Sequence, residues 1–375
     1  MLYLKVMDKI QKTLSKPFST MLENYNLAKE VMPPKQKSGH WNVFPEDYEE
    51  SIKNVDAWET FLRNPISLGF NDNLVGYDNS RFTQNKKYNG VDAWERRKVH
   101  NYKNLIEDSL SNPDEQKLAN ETFNYFLSLC GFDFLKEYSL ESMAGSPQRF
   151  FIQSGLGSFH ANMHDLSLLY YFWKILRATD KLIKTDNPVI AEIGPGYGGL
   201  ISKAKKKYPK ARLILFDLPE LSAVQTYFIY NSYPNSKILY LKDLLERGNK
   251  IFDEEFDFMI LPGWMINQVP DCYFDLIINI RSMMEMSIEV VDFYFKHIHR
   301  SVKNNGLFAC INRYEKKSNS AENIVMKHYP FDEFWLPLSS EASEIQPHIH
   351  ELILMRGDKK SNLLKEILKS MPPFS

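Results

Sequence analysis

The stretch Val189-Ile190-Ala191-Glu192-Ile193-Gly194-Pro195-Gly196-Tyr197-Gly198-Gly199-Leu200 decides the fold. A short apolar run passes straight into a glycine-dense turn, and the segment beyond it, Leu200–Lys207, has a helical pattern. A strand that turns directly into a helix uses glycine where the backbone must approach a ligand or adopt angles that a side chain forbids. The start of such a helix aims unpaired amides and the positive end of its dipole into the same space. Next comes Leu213-Ile214-Leu215-Phe216-Asp217, a second apolar strand ending in a carboxylate. At a strand's C-terminal edge, Asp217 can accept both hydroxyls of a ribose.

Further apolar segments alternate with helical ones. Val189–Ile193, Arg212–Phe216, Phe256–Leu261, Phe274–Ile280 and Leu307–Ile311 read as buried strands, which implies a parallel, doubly wound α/β sheet. Phe334–Leu338 and His350–Met355 add two more with no long helix between them, so an antiparallel hairpin closes a seven-stranded sheet. Leu166, Leu169, Tyr170, Trp173 and Leu176 make one apolar face of a helix over about Asn162–Lys184. Residues 1–150 have no glycine turn after a strand and read as a mainly helical N-terminal domain, with residues 151–375 as the sheet domain. Turn signals there fall at Met32-Pro33-Pro34, Gly76-Tyr77-Asp78-Asn79 and Ser111-Asn112-Pro113. Val-Asp-Ala-Trp-Glu occurs at Val55–Glu59 and again at Val91–Glu95, each time as a helix start. Met1–Phe18, with Lys5, Lys9, Lys12 and Lys16, reads as an amphipathic helix, with a membrane-surface anchor as the alternative.

Composition narrows the function classes. A chain of 375 residues suggests two domains, and 43% hydrophobic with 14% aromatic residues fills a sizeable core. A net charge of −1 gives no electrostatic reason to expect nucleic acid as a partner. Cys130, Cys272 and Cys310 form no C-x-x-C pair, which fits a reducing, cytoplasmic setting and no zinc cluster. No apolar run reaches the ~20 residues of a membrane span, so no stable insertion is expected. Self-association stays open.

Two cofactors suit the glycine turn. Gly194, Gly196 and Gly199 satisfy the dinucleotide pattern G-x-G-x-x-G, with Asp217 at nearly the expected distance. Gly194, Gly196 and Gly198, with Glu192 two residues ahead, satisfy the methyltransferase pattern E-x-G-x-G-x-G. Glu192 favours the second, because it suits a ligand with a cationic amino group and repels a pyrophosphate. A closing antiparallel pair in place of a second mononucleotide half points the same way. S-adenosylmethionine is therefore the expected cofactor, held by Glu192, Gly194, Gly196, Gly198, Asp217 and Leu218.

Over roughly Gly155–Arg356 the chain resembles the bacterial sugar O-methyltransferases. The carriers are Glu192–Leu200, Asp217-Leu218-Pro219-Glu220, Phe274–Asn279, Met284-Glu285-Met286, Ile311-Asn312-Arg313-Tyr314 and His350-Glu351. Arg281, where the pattern has a small polar residue, and the insertion-like Leu241–Glu255 depart from it. The resemblance implies a class I methyltransferase fold. It also implies a sugar hydroxyl as acceptor, in a polysaccharide or nucleotide-linked precursor. A sugar hydroxyl is a poor nucleophile at neutral pH and calls for a base. Glu285, a few residues past the fourth strand, and His160, ahead of the sheet, are the candidate catalytic bases. His164, Asn312 and Arg313 are candidate substrate residues. His160 and His164 stand four apart, a spacing that can share one face, but no carboxylate completes a metal site and none is expected. His350 reads as structural, Phe159, Met283, Met284 and Met286 as core, and Lys203, Lys205, Lys206 and Lys207 as a solvated face. The alternatives are a methyltransferase acting on another small molecule or a lipid, an NAD(P)-dependent oxidoreductase resting on Gly199, and a scaffold without catalysis.

Overall fold

The computed structural model describes residues 16–33, 123–139, 150–161, 163–317 and 323–371, with positions 52, 58, 61–63, 144 and 145 between them. Most of the Met1–Phe18 segment, the turns at 76–79 and 111–113, and the repeat copy at 91–95 lie outside these residues. Helix α1 spans Lys16–Glu30 and ends three residues before Pro33, which could not continue it. Helix α2 (Phe132–Tyr138) leads towards a hairpin of strands β1 (Phe150–Ser154) and β2 (Gly157–Ala161).

The sheet region begins with helix α3 (Met163–Thr179), then β3 (Val189–Ile193), α4 (Gly199–Lys207), β4 (Arg212–Asp217) and α5 (Pro219–Ser232). Strand β5 (Ile238–Tyr240), helix α6 (Leu241–Arg247), β6 (Phe258–Pro262) and β7 (Phe274–Ile280) follow. The chain closes with α7 (Ile288–Ser301), β8 (Val302–Arg313), β9 (Glu315–Lys317), β10 (Asn323–Val325), β11 (Trp335–Ala342), β12 (Ile349–Arg356) and α8 (Leu363–Ser370). The main sheet runs β11-β12-β8-β7-β3-β4-β6-β5. Strands β5 to β8, β3 and β4 pair in parallel, and β12 and β11 join antiparallel. The expected α/β fold is thus present, with eight strands where seven are expected. The extra strand, β5, has three residues and one buried side chain, too short to show a period. The insertion-like stretch beside it folds as α6 and a 3-10 turn over Gly248–Asp253.

Alternation along each strand divides the core into two faces. Ile190, Leu213 and Leu215 meet Leu169, Ile201 and Phe228 of α3, α4 and α5. Ala191, Ile193, Ile214 and Phe216 face Leu241, Val291, Phe295 and Leu364 of α6, α7 and α8. Phe18, Trp58, Phe61, Phe123 and Phe126 belong to the first cluster, so a boundary near residue 150 does not separate two cores among the described residues. Trp58, in the first repeat copy, is fully buried and donates its indole N–H to the Ile52 carbonyl at 3.0 Å. Lys29 of α1 also pairs with Glu220 of α5 at 2.8 Å. Among the described residues, no helix is long and apolar enough to cross a membrane.

Two lysines of the α4 run, Lys203 and Lys205, correct the solvated-face expectation. Lys203 is 2% exposed, ion-paired with Asp165 of α3, and donates to the Tyr138 carbonyl at 3.2 Å. Lys205 is buried too, donating to Asp257 at 2.5 Å and to the Ala211 carbonyl at 3.2 Å. Helix α4 is covered on both flanks, by α3 and by the β6 side. Lys203 and Lys205 therefore stretch along apolar surface to carboxylates, whereas Lys206 is exposed as expected and Lys207 is half-buried.

Candidate active site

From β3 the chain proceeds to β4 and β6 on one side and returns to β7 on the other. Such a switch point opens a crevice beyond the C-terminal strand ends. The glycine turn lines it. Gly194, Gly196 and Gly198 have φ values of +69°, +59° and +94°, backbone that L side chains rarely adopt. The Gly194 N–H donates to the Phe216 carbonyl at 2.8 Å, tying the turn to β4, and a Cβ there would stand 2.2 Å from Ser282 Oγ. Gly199 already lies within α4, facing Tyr197 and Leu168. It is a packing glycine and not part of the turn.

Glu192 and Asp217 flank this turn at the ends of β3 and β4. Glu192 is 3% exposed, and its Oε2 has no hydrogen-bond partner. Burial, and then the neighbouring Asp217, push its carboxyl up to about 8. Asp217 is 8% exposed and also lifted to about 8 by burial, against the pull of three donors: the Leu218 and Gly196 N–H groups and the Gln225 amide. Gln225 donates to Asp217 Oδ2 at 3.0 Å and to the Gly196 carbonyl at 2.8 Å. A carboxylate offers about four acceptor sites, so a diol making both its bonds to Asp217 would displace the Gln225 amide.

These two acids carry a pH signature. Their folded values lie above the ordinary carboxylate range, so the native state holds protons that the unfolded chain releases. Each therefore stabilises the fold fully below about pH 4, and that contribution is lost as pH rises towards about 8. Asp217→Asn removes one such group. Relative to the wild type, this variant is expected to gain stability from pH 5 to pH 8, by up to ~1.4 kcal/mol per pH unit. Denaturant titrations at the two pH values measure it, and a constant difference would place Asp217 in a water-like environment.

On the other side of the crevice, Asn279, Ser282 and Asn312 bind β3, β7 and β8 together. The Asn279 amide donates to the Ile193 carbonyl at 2.9 Å, and Ser282 Oγ donates to the same carbonyl at 3.0 Å. Asn312 is fully buried, donates to Asn279 Oδ1 at 2.8 Å and accepts from the Met284 N–H at 3.1 Å. Both ends of its amide are engaged, so it braces the 281–286 turn. Arg313 ends β8 opposite Ile349, half-buried. Glu285 closes a one-turn 3-10 helix, Met283–Glu285, and its Oε1 accepts from Lys316 of β9 at 2.5 Å.

The two histidines do not share a helical face. His160 lies in β2 opposite Phe151, with its side chain outside the described ones, whereas His164 is in the first turn of α3. The His164 ring stands 5.9 Å from that of Tyr197, in the glycine turn. Burial, then Arg281 and Lys203, lower it to about 3, so the imidazole is neutral at physiological pH. Both ring nitrogens of His350 are engaged, with Tyr314 and Ser340, each at 2.9 Å.

Sequence reading did not single out Gln225, Asn279, Ser282 or Trp264. Gln225 had a usable signal: a polar residue amid Leu221, Val224, Phe228 and Ile229 on an otherwise apolar helix face. Trp264 follows Gly263 just past β6, where Pro262 is level with Asp217, and its buried indole N–H has no acceptor. Nothing in its local sequence marks it.

No protein-family model matches the chain, and no curated protein sequence does. Solved structures give low-level matches. The YcgJ protein from Bacillus subtilis is 17% identical over 39% of this chain and 51% of its own, with a TM-score of 0.26. The mitomycin 7-O-methyltransferase MmcR is 15% identical over 52% of this chain and 57% of its own, TM-score 0.30. A SAM-dependent methyltransferase from Aquifex aeolicus is 13% identical over 48% and 88%, TM-score 0.28. This chain thus spans little more than half the length of the first two. At such scores the likeness carries no argument for an activity, and the fold rests on the strand order itself.

Proposed function

We propose that this chain is an S-adenosylmethionine-dependent O-methyltransferase acting on a sugar hydroxyl in a polysaccharide or nucleotide-linked precursor. The observation that carries the cofactor is the pair of buried acids flanking the glycine turn, with Glu192 Oε2 lacking any partner. A pyrophosphate entering there would meet two carboxyl groups. A ligand bearing an ammonium and a ribose diol meets two acceptors. When bound, S-adenosylmethionine supplies a methyl group that is already strongly electrophilic. Gly194, Gly196 and Gly198 would let the backbone approach it, Asp217 would hold the diol, and Leu218 would line the same edge. The sugar acceptor is supported by the resemblance over Phe274–Asn279, Met284–Met286 and Ile311–Tyr314.

The chain's main tasks are then alignment of the acceptor oxygen and removal of its proton. Glu285 and His160 remain the candidate bases. As a base, Glu285 would share its carboxylate with Lys316.

Calorimetry with S-adenosylhomocysteine and, separately, with NAD tests the cofactor. The first is expected to bind and the second not; the reverse result would replace this reading by an oxidoreductase. Transfer of labelled methyl groups to a panel of free, nucleotide-linked and polymeric sugars tests the acceptor. On the acceptor so found, Glu285→Gln and His160→Ala separate the bases: the one that slows transfer with cofactor affinity intact names the base.

A further inference from the structure

Arg281 follows β7 at the switch point with φ +58°, in the left-handed region that residues other than glycine enter at a cost. Its N–H donates to the Ile311 carbonyl at 2.7 Å, which holds that turn against β8. The next residue, Ser282, stands over Gly194. Backbone strain of this kind is kept where a side chain must be aimed.

What the side chain finds there is unusual. Among the described residues the Arg281 guanidinium makes no hydrogen bond and no ion pair, and its Nε is shut from solvent without an acceptor. Two acids are committed elsewhere, Asp165 to Lys203 and Glu285 to Lys316 at 2.5 Å, and among the described residues no hydrogen bond or ion pair joins the buried Glu351 to Arg281. Arg281 faces helix α3, where its charge adds to burial in lowering His164 and opposes burial in raising Tyr171. A shielded guanidinium nitrogen without an acceptor is costly, and its best partner is an oxyanion that accepts two parallel N–H bonds.

We propose that Arg281 is an oxyanion-binding residue of the crevice, taking a carboxylate or phosphate group of a bound ligand beside the glycine turn. The source of that group rests on the methyl-transfer reading: it is either the α-carboxylate of the cofactor's amino-acid tail or an acid group on the acceptor.

Arg281→Gln and Arg281→Gly test this, the glycine variant because its backbone suits φ +58° and keeps the fold. Calorimetry uses S-adenosylhomocysteine, its decarboxylated analogue, glucuronate and inorganic phosphate, the last two on both unloaded and S-adenosylhomocysteine-loaded protein. If the cofactor supplies the group, the wild type prefers S-adenosylhomocysteine over the decarboxylated analogue by about tenfold or more, and both variants lose that preference. If the acceptor supplies it, cofactor affinity is equal in all three proteins. Glucuronate or phosphate then binds the wild type about tenfold or more tightly than the variants. Equal binding of every probe by all three proteins overturns the proposal. Should the wild type not bind S-adenosylhomocysteine at all, the methyltransferase reading fails, and the phosphate and glucuronate titrations of unloaded protein still decide the part of Arg281.

Discussion

Replacing Gly196 by Val is expected to lower S-adenosylhomocysteine affinity by about a hundredfold or more, ~2.7 kcal/mol at ~1.4 kcal/mol per decade, in a protein that still folds. Gly196 sits at φ +59°, a conformation that costs a branched residue roughly 1–3 kcal/mol. Its N–H donates to Asp217 and its carbonyl accepts from Gln225 at 2.8 Å. A valine that relaxes towards negative φ pulls both groups away. The damage then spreads from the turn to the carboxylate that would hold the ribose. Calorimetry measures the loss, and thermal melting checks the fold. Gly155→Ala is the control, since Gly155 is exposed and an added Cβ there meets nothing within 4 Å. Unchanged affinity in Gly196→Val would remove the glycine turn from the cofactor site.

Asp165→Ala is expected to destabilise the fold by about 3–5 kcal/mol, the range for stranding one partner of a buried ion pair. Lys203 is 2% exposed, and with Asp165 gone its ammonium retains only the Tyr138 carbonyl, at 3.2 Å. Burial already pulls the lysine below its usual value, and Asp165 opposes that pull. Urea titration at pH 7 gives the number. Lys203→Met in the Asp165→Ala background removes the stranded charge and should restore part of the loss. A loss under about 1 kcal/mol for Asp165→Ala alone would mean that Lys203 reaches water by shifting its stem.

Much of the fold was legible because strands buried on both faces are apolar throughout, and that property is local. Val189–Ile193 and Phe274–Ile280 are observed with the bounds expected of them, and the closing pair β11 and β12 is antiparallel as expected. The glycine turn was legible because its backbone angles admit little but glycine. Strand β5 was not, since three half-covered residues carry no period. The β1–β2 hairpin was not marked either. It places His160 on a strand, away from the helix that carries His164.

The sequence by itself determined the parallel sheet, its closing antiparallel pair, the turn after β3 and the carboxylate at the end of β4. Each follows from neighbours a few residues apart, through periodicity or backbone freedom. Only the tertiary structure decided the partners of the charged and polar side chains. Lys203 turns inward because Asp165, 38 residues earlier, meets it across two helices. Asn312 braces a turn because Asn279, 33 residues earlier, lies on the adjoining strand. Arg281 has no counter-ion among the described residues, where Asp165 and Glu285 have found other bases. A hydrogen bond or ion pair depends on distances of a few ångströms between elements far apart in the chain, and residue spacing does not encode those distances.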